Sequence, residues 1–147
     1  MATLKEYGFD DLQDALNRIA YIPESVKQEA LNGMADIAAA KIRAEGASMG
    51  VRDPDSSVHI LDKISKNSKA KLSDAGGYKM ITFTGNRRRG DRNSETRNAE
   101  IAFVNEYGKR NQPARPFILT ALNNNAEEIT DPAEKAIGDW IEKEWSR

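Results

Sequence analysis

The sequence predicts an α+β protein with a small antiparallel sheet packed against a long N-terminal helix and a C-terminal helix. Apolar residues recur at helical spacing near both ends of the chain, and between them lie short runs rich in aromatic and β-branched residues. The length of 147 residues is that of one domain. We therefore expect a single domain over residues 1–147.

The composition limits the classes of function. Hydrophobic residues make up 39% and charged residues 31%, which suits a thin protein that relies on partners to complete its burial. The net charge of −1 argues against a general nucleic-acid binder, which is usually strongly basic. The chain has no cysteine, so disulfides and cysteine-ligated metals are excluded. No apolar run has the length of a signal peptide core or of a membrane span, so we expect neither.

Two helices are predicted in the first third. Phe9, Leu12, Leu16 and Ile19 are spaced three, four and three residues apart, which predicts a short helix over residues 9–20. Pro23 ends this helix and is well placed to begin a long one over residues 23–45, with Gly46 as its expected terminator.

One side of the long helix is unusually small. It carries five alanines, namely Ala35, Ala38, Ala39, Ala40 and Ala44. This side either packs closely on the chain's own sheet or allows close approach of a neighbouring subunit. Gly33 costs about 1 kcal/mol relative to alanine within a helix, which again indicates a close approach.

The segment after the long helix contains no recognisable chemistry. Residues 46–57 have the composition of a loop, and residues 58–64 fit either a short helix or the start of a strand. His59 is the one histidine and is expected to have a packing or solvated role. Asp53 and Asp55 are not followed by further carboxylates at calcium-loop spacing, so we expect no metal site and no cofactor.

A β-hairpin is predicted over residues 78–105. Residues 78–84 are rich in aromatic and β-branched types. Residues 99–105 have apolar side chains on both faces, which is typical of a central strand covered on both sides. The basic loop 85–98 then forms a long mobile tip.

The last helical segment is predicted over residues 116–145. Asp131 and Pro132 resemble an N-cap followed by the first helical position, so the helix is expected to kink or restart there. Trp140 and Trp145 belong to its apolar stripe, either as core residues or as an interface anchor.

The basic loop is the strongest local charge signal. It holds the five arginines Arg87, Arg88, Arg89, Arg92 and Arg97. Against Asp91 and Glu95 its balance is five minus two, or +3. Three interpretations remain open: contact with nucleic-acid phosphates, docking on an acidic protein surface, or a solvated tip that keeps a sheet edge soluble.

The segment from Asn105 to Phe117 forms the second signal. Gly108 would permit a positive φ at a turn, and Pro113 and Pro116 fix the direction of the chain into the last helix. Arg115 is expected to pair with a carboxylate such as that of Glu106. No second carboxylate, nucleophile or phosphate loop accompanies these residues, so we do not expect an enzyme.

This segment also carries a family resemblance. The run Ile101-Ala102-Phe103-Val104-Asn105-Glu106-Tyr107-Gly108, followed by Gln112-Pro113-Ala114-Arg115-Pro116-Phe117-Ile118, resembles the signature of the tail-completion family of tailed phages. The similarity is close over residues 99–119. The signature corner comprises Asn105, Glu106, Tyr107, Gly108, Arg115, Pro116 and Phe117.

The resemblance implies a structural virion protein of the neck, where tail and head join, assembled in the host cytoplasm. It implies a ring of six or twelve copies in the virion, from a chain that can be a monomer in solution. Its partners would be a connector or head-completion protein, a tail terminator or tail-tube protein, and the DNA that passes through the lumen. The alternative is a small DNA-binding accessory protein that uses the five arginines of the basic loop.

Overall fold

The computed structural model describes residues 9–53, 58–88 and 95–147. Over these ranges the helices, in chain order, are α1 (Phe9–Ile19), α2 (Glu24–Ser48), α3 (Asn98–Tyr107), α4 (Phe117–Asn124) and α5 (Ala126–Trp145). A 3-10 helix spans Ile60–Lys63. The strands are β1 (Ile64–Ser65), β2 (Lys71–Ser73), β3 (Gly76–Tyr78), β4 (Thr82–Phe83), β5 (Asn86–Arg88) and β6 (Glu95–Arg97).

The described strands form two-stranded antiparallel sheets. Together with the long helix α2 and the C-terminal helix α5, they confirm the predicted α+β class. β1 pairs with β4, β2 with β3, and β5 with β6. Strands of two or three residues have few cross-strand side-chain pairs, so most of their support comes from the helices around them.

The predicted strand over residues 99–105 is wrong, because this segment is helix α3. A short apolar run does not by itself distinguish a strand from a helix. In the helix, Ile101 and Ala102 are buried whereas Phe103 is 61% exposed. The predicted hairpin 78–105 therefore does not form: β4 pairs with β1, and the hairpin is the narrower β5–β6, whose tip lies outside the described residues.

Helix α2 continues through the expected terminator to Ser48. Gly46 is buried within it, and a Cβ there would lie 2.6 Å from Leu61 Cδ2 and 3.0 Å from Phe117 Cδ2. The glycine is thus needed for close packing rather than for ending the helix.

Part of the small side of α2 is buried within the chain, and α2 packs along α5 and α4. Ala35, Ala38 and Ala39 are buried, whereas Ala40 and Ala44 are exposed. A Cβ on Gly33 would meet the Cβ of Pro132 at 2.6 Å, so the close approach predicted at this glycine is made by α5.

The predicted restart of the helix at Pro132 does not occur. The proline lies inside α5, and the break between the last two helices falls instead at Asn125, which ends α4 and precedes α5. The absence of a side chain at Gly33 gives the proline ring its space on the facing helix.

The core lies where α2, the 3-10 helix, α3 and α4 meet. Ile60, Ile101 and Phe117 are at most 2% exposed, and the ring of Phe83 packs edge-on against Phe117 with centroids 6.0 Å apart. His59 is exposed, and its Nδ1 accepts a hydrogen bond from the Leu61 N–H at the start of the 3-10 helix, a capping role that the sequence did not predict.

Candidate interaction surface

Asn105 ties the end of α3 to two other parts of the chain. Its side chain is 1% exposed. Oδ1 accepts a hydrogen bond of 2.8 Å from the Arg52 N–H, and Nδ2 donates to the carbonyls of Arg52 and Ile101. The Arg115 N–H donates to the Asn105 carbonyl at 2.6 Å. A buried amide with this many partners fixes one geometry, because losing any of them would leave a polar group unsatisfied.

Glu106 caps helix α4 from the preceding helix. Its carboxylate is buried and accepts hydrogen bonds from the N–H groups of Ile118, at 2.8 Å, and Leu119, at 3.0 Å. These donors belong to the first turn, where no helical carbonyl is available to them, and Pro116 at the N-cap makes no side-chain cap. The expected pairing of Glu106 with Arg115 is therefore replaced by a charged cap.

Gly108 makes the turn between α3 and the proline segment. Its φ is +78°, as its sequence position predicted. A Cβ would lie 2.8 Å from the Ala114 nitrogen and 2.9 Å from the Gln112 carbonyl oxygen, so both conformation and space require glycine. Lys109 and Gln112 then exchange two backbone hydrogen bonds of 2.9 Å, which closes a tight turn.

The end of the corner leads into the core. Phe117 is completely buried, and Pro116 directly before it is exposed. Arg115 is half-buried, and its Nη1 is buried without a hydrogen-bond partner among the residues that the structure describes.

Tyr107 is the most exposed aromatic residue of the signature corner. It is 69% exposed, and its ring contacts that of Phe103, which is 61% exposed, with centroids 4.6 Å apart and an angle of 45° between the ring planes. Beside them is an open apolar groove of about 410 Å³, lined by Arg97, Ala99, Glu100, Phe103 and Val104. Sequence analysis missed this surface, because it assigned both faces of the segment to a buried strand.

The five arginines of the basic loop do not form one surface. Arg87 lies inside the fold: its Nη1 is 2.5 Å from Asp53 Oδ1, its Nε donates to Asn98 Oδ1 at 2.7 Å, and its side chain is 7% exposed. Its assignment as a contact with a partner or DNA is therefore corrected. Arg97 is exposed at the groove.

The other three arginines are described less fully. The backbone of Arg88 pairs with that of Glu95 in the hairpin. Arg89 and Arg92 lie outside the described residues.

Asp53 joins the loop after α2 to the hairpin. Besides meeting Arg87, its carboxylate accepts a hydrogen bond from the Ile60 N–H, and its side chain is 1% exposed. Asn98 completes the network by donating to the Thr84 carbonyl at 2.6 Å. The role of this aspartate is thus structural, and the described ranges contain no cluster of metal-ligating side chains.

Two further findings lie outside the corner itself. Within the part of the chain that the structure describes, no helix has the length and apolar character needed to cross a membrane. Comparison with protein-family models, with curated proteins and with solved structures found no match to the chain.

Proposed function

We propose that this chain is a structural virion protein of a tailed phage or prophage, a tail-completion component of the neck that joins the tail to the head connector by forming a ring. The proposal starts from the resemblance of residues 99–119 to the tail-completion signature. One structural observation carries it further: the buried signature residues hold a rigid corner, and that corner presents an exposed aromatic pair.

The corner has the properties of a scaffold. Asn105, Glu106 and Phe117 are at most 7% exposed, and each connects parts of the chain that are distant in sequence or begins a helix. Their buried positions support a signature that preserves geometry rather than a reaction.

The surface beside the corner has the properties of an interface. Phe103, Tyr107 and Leu119 are each more than half exposed, although their burial would be favourable. The rings of Phe103 and Tyr107 are in contact, and the hydrogen bonds of Glu106 place the first turn of α4, to which Leu119 belongs, next to the end of α3. Exposed apolar side chains grouped in this way are typical of sites that bind another protein.

The alternative of a DNA-binding accessory protein is weakened by one observation. It depends on the arginines of the basic loop, and the Arg87 side chain is buried against Asp53. Titration of duplex DNA at low salt tests it directly, with Arg97→Ala as the variant whose side chain is exposed.

Deletion of the gene from its phage or prophage tests the proposed function. We expect complete heads and complete tails that remain unjoined in electron micrographs, and restoration of joined particles by the wild-type gene supplied in trans. Normal infectious particles from the deletion would refute the proposal.

Complementation of the deletion with variants tests whether the exposed aromatic pair is needed for joining. Tyr107→Asp should fail to restore joined particles although the purified variant keeps the wild-type helical content and melting temperature. Lys135→Asp, at an exposed position on α5, serves as the control and should restore them.

A further inference from the structure

Residues 66–80 form an arm that leaves the core and returns to it. The arm begins after β1 and ends before β4, and these two strands pair with each other through Ile64 opposite Phe83. Both of these side chains pack against the hydrophobic core, whereas residues 66–80, all of which the structure describes, contribute no side chain to it. The base of the arm is therefore fixed to the core, and the arm itself is held by other contacts.

A bridge between Ser68 and Met80 closes the arm where it leaves its base. Ser68 Oγ donates a hydrogen bond of 2.6 Å to the Met80 carbonyl and accepts one of 3.1 Å from the Met80 N–H. Beyond this bridge, strands β2 and β3 form the end of the arm, with Leu72 opposite Gly77. The bridge joins the two segments that enter the arm, which makes it the pivot for any movement of the arm as a unit.

The arm lies along α2 and buries little apolar surface there. Gly77 permits close packing, because a Cβ at this position would lie 2.7 Å from Leu72 Cδ2 and 3.2 Å from Leu31 Cδ1 of α2. Leu72 and Leu31 are half-buried, whereas Tyr78 and Met80 are each more than half exposed. Since the burial of apolar surface is the main favourable term in folding, this contact stabilises the closed arm only weakly.

Polar contacts at the surface complete the attachment. Three lysine contacts of 2.6 Å join the arm to α2: Lys27 Nζ to the Ser73 carbonyl, Lys79 Nζ to Asn32 Oδ1, and Lys66 Nζ to Asp36 Oδ1. Water and salt compete for exposed groups of this kind, so each contact contributes little to stability. Lys27 is the contact farthest from the bridge, because it reaches the end of β2.

We propose that the arm opens away from α2 about the Ser68–Met80 bridge while the rest of the fold stays intact, with Lys27 as the latch at its end. Opening separates Leu72 from Leu31 and uncovers both side chains. A hairpin with strands of three residues is at most marginally stable by itself, so the pairing of β2 with β3 is lost when the arm leaves α2. The arm thus belongs to the least stable part of the molecule, from which moving elements are drawn.

Hydrogen exchange of the full chain, measured by NMR, tests this opening. We expect the amides that pair β2 with β3 to exchange at least about tenfold faster than those within α3, after correction for intrinsic rates. Lys27→Met removes the latch, and it should accelerate exchange in β2 and β3 while leaving exchange in α3 and the melting temperature unchanged. Lys135→Met, at an exposed position on α5, is the matched control and should change neither rate.

A cross-linked arm gives the opposite measurement. Lys27→Cys and Ser73→Cys place two thiols at the latch of a chain that has no cysteine of its own, and a short bismaleimide joins them. Exchange in β2 and β3 should be about tenfold slower after cross-linking than before it, whereas exchange in α3 should not change.

Three results would overturn the opening about this bridge. They are exchange in β2 and β3 at the α3 rate, which would mean that the arm opens only when the whole fold unfolds; equal exchange before and after cross-linking, which would indicate fraying of the strands on a closed arm; and equal effects of Lys27→Met and Lys135→Met. None of these results bears on the gene-deletion experiment, which tests the neck function separately.

Discussion

Removal of the Glu106 carboxylate should lower the free energy of unfolding substantially, because this one side chain caps helix α4. The carboxylate accepts two hydrogen bonds, from the N–H groups of Ile118 and Leu119, and it is 7% exposed. A hydrogen bond to a charged group contributes about 1.5–3 kcal/mol, and a carboxylate near a helix N-terminus gains further from the helix dipole. We therefore expect Glu106→Ala to lower the free energy of unfolding by about 3–4 kcal/mol.

The variant Glu106→Gln separates the contribution of hydrogen bonding from that of the negative charge. Glu106→Gln keeps one carbonyl oxygen as an acceptor but loses the charge, so we expect a loss of about 1–2 kcal/mol. Urea unfolding followed by circular dichroism measures both values. At this chain length each kcal/mol corresponds to a fall in melting temperature of roughly 2–4 °C.

Glu100→Ala is the matched control. This carboxylate belongs to the same helix but is exposed on the outward side, so its removal should change stability by less than about 1 kcal/mol. Equal stability losses for Glu106→Ala and Glu100→Ala would refute the assignment of Glu106 as the cap of α4.

Three further changes test the fold around the corner. Gly108→Ala should cost about 2–4 kcal/mol in urea unfolding because it combines a positive φ with a backbone clash, whereas Gly50→Ala, with positive φ but open space, should cost about 1–2 kcal/mol. Phe117→Ala should cost about 3–5 kcal/mol, since it empties a fully buried site, and a loss of less than about 1 kcal/mol would contradict its place in the core. Arg87→Ala should cost about 3–5 kcal/mol because it removes the guanidinium that contacts the buried Asp53 carboxylate, whereas Arg97→Ala should leave thermal unfolding unchanged.

The first two helices could be predicted from sequence. The apolar spacing predicts helices over residues 9–20 and 23–45, and the helices observed are Phe9–Ile19 and Glu24–Ser48. Periodic apolar residues and a proline boundary are local signals, and they act within a few residues of the position that they determine.

The central segment could not be predicted in the same way. Residues 99–105 have apolar side chains on both sides, which fits a doubly covered strand as well as a helix with a second uncovered side. The decision depends on partners from elsewhere in the chain, such as the backbone of Arg52 for Asn105 and the first turn of α4 for Glu106.

In the candidate site, too, local features could be predicted from sequence, whereas burial could not. The sequence by itself indicated that a positive φ is possible at Gly108 and that the prolines direct the chain into the final helices, because backbone conformation is a local property. Only the tertiary structure decided that Arg87 is buried against Asp53 while Arg97 is exposed, since one charge needs a partner distant in sequence and the other does not. Burial is a property of the whole fold, so it cannot be predicted for one arginine in a run of similar residues.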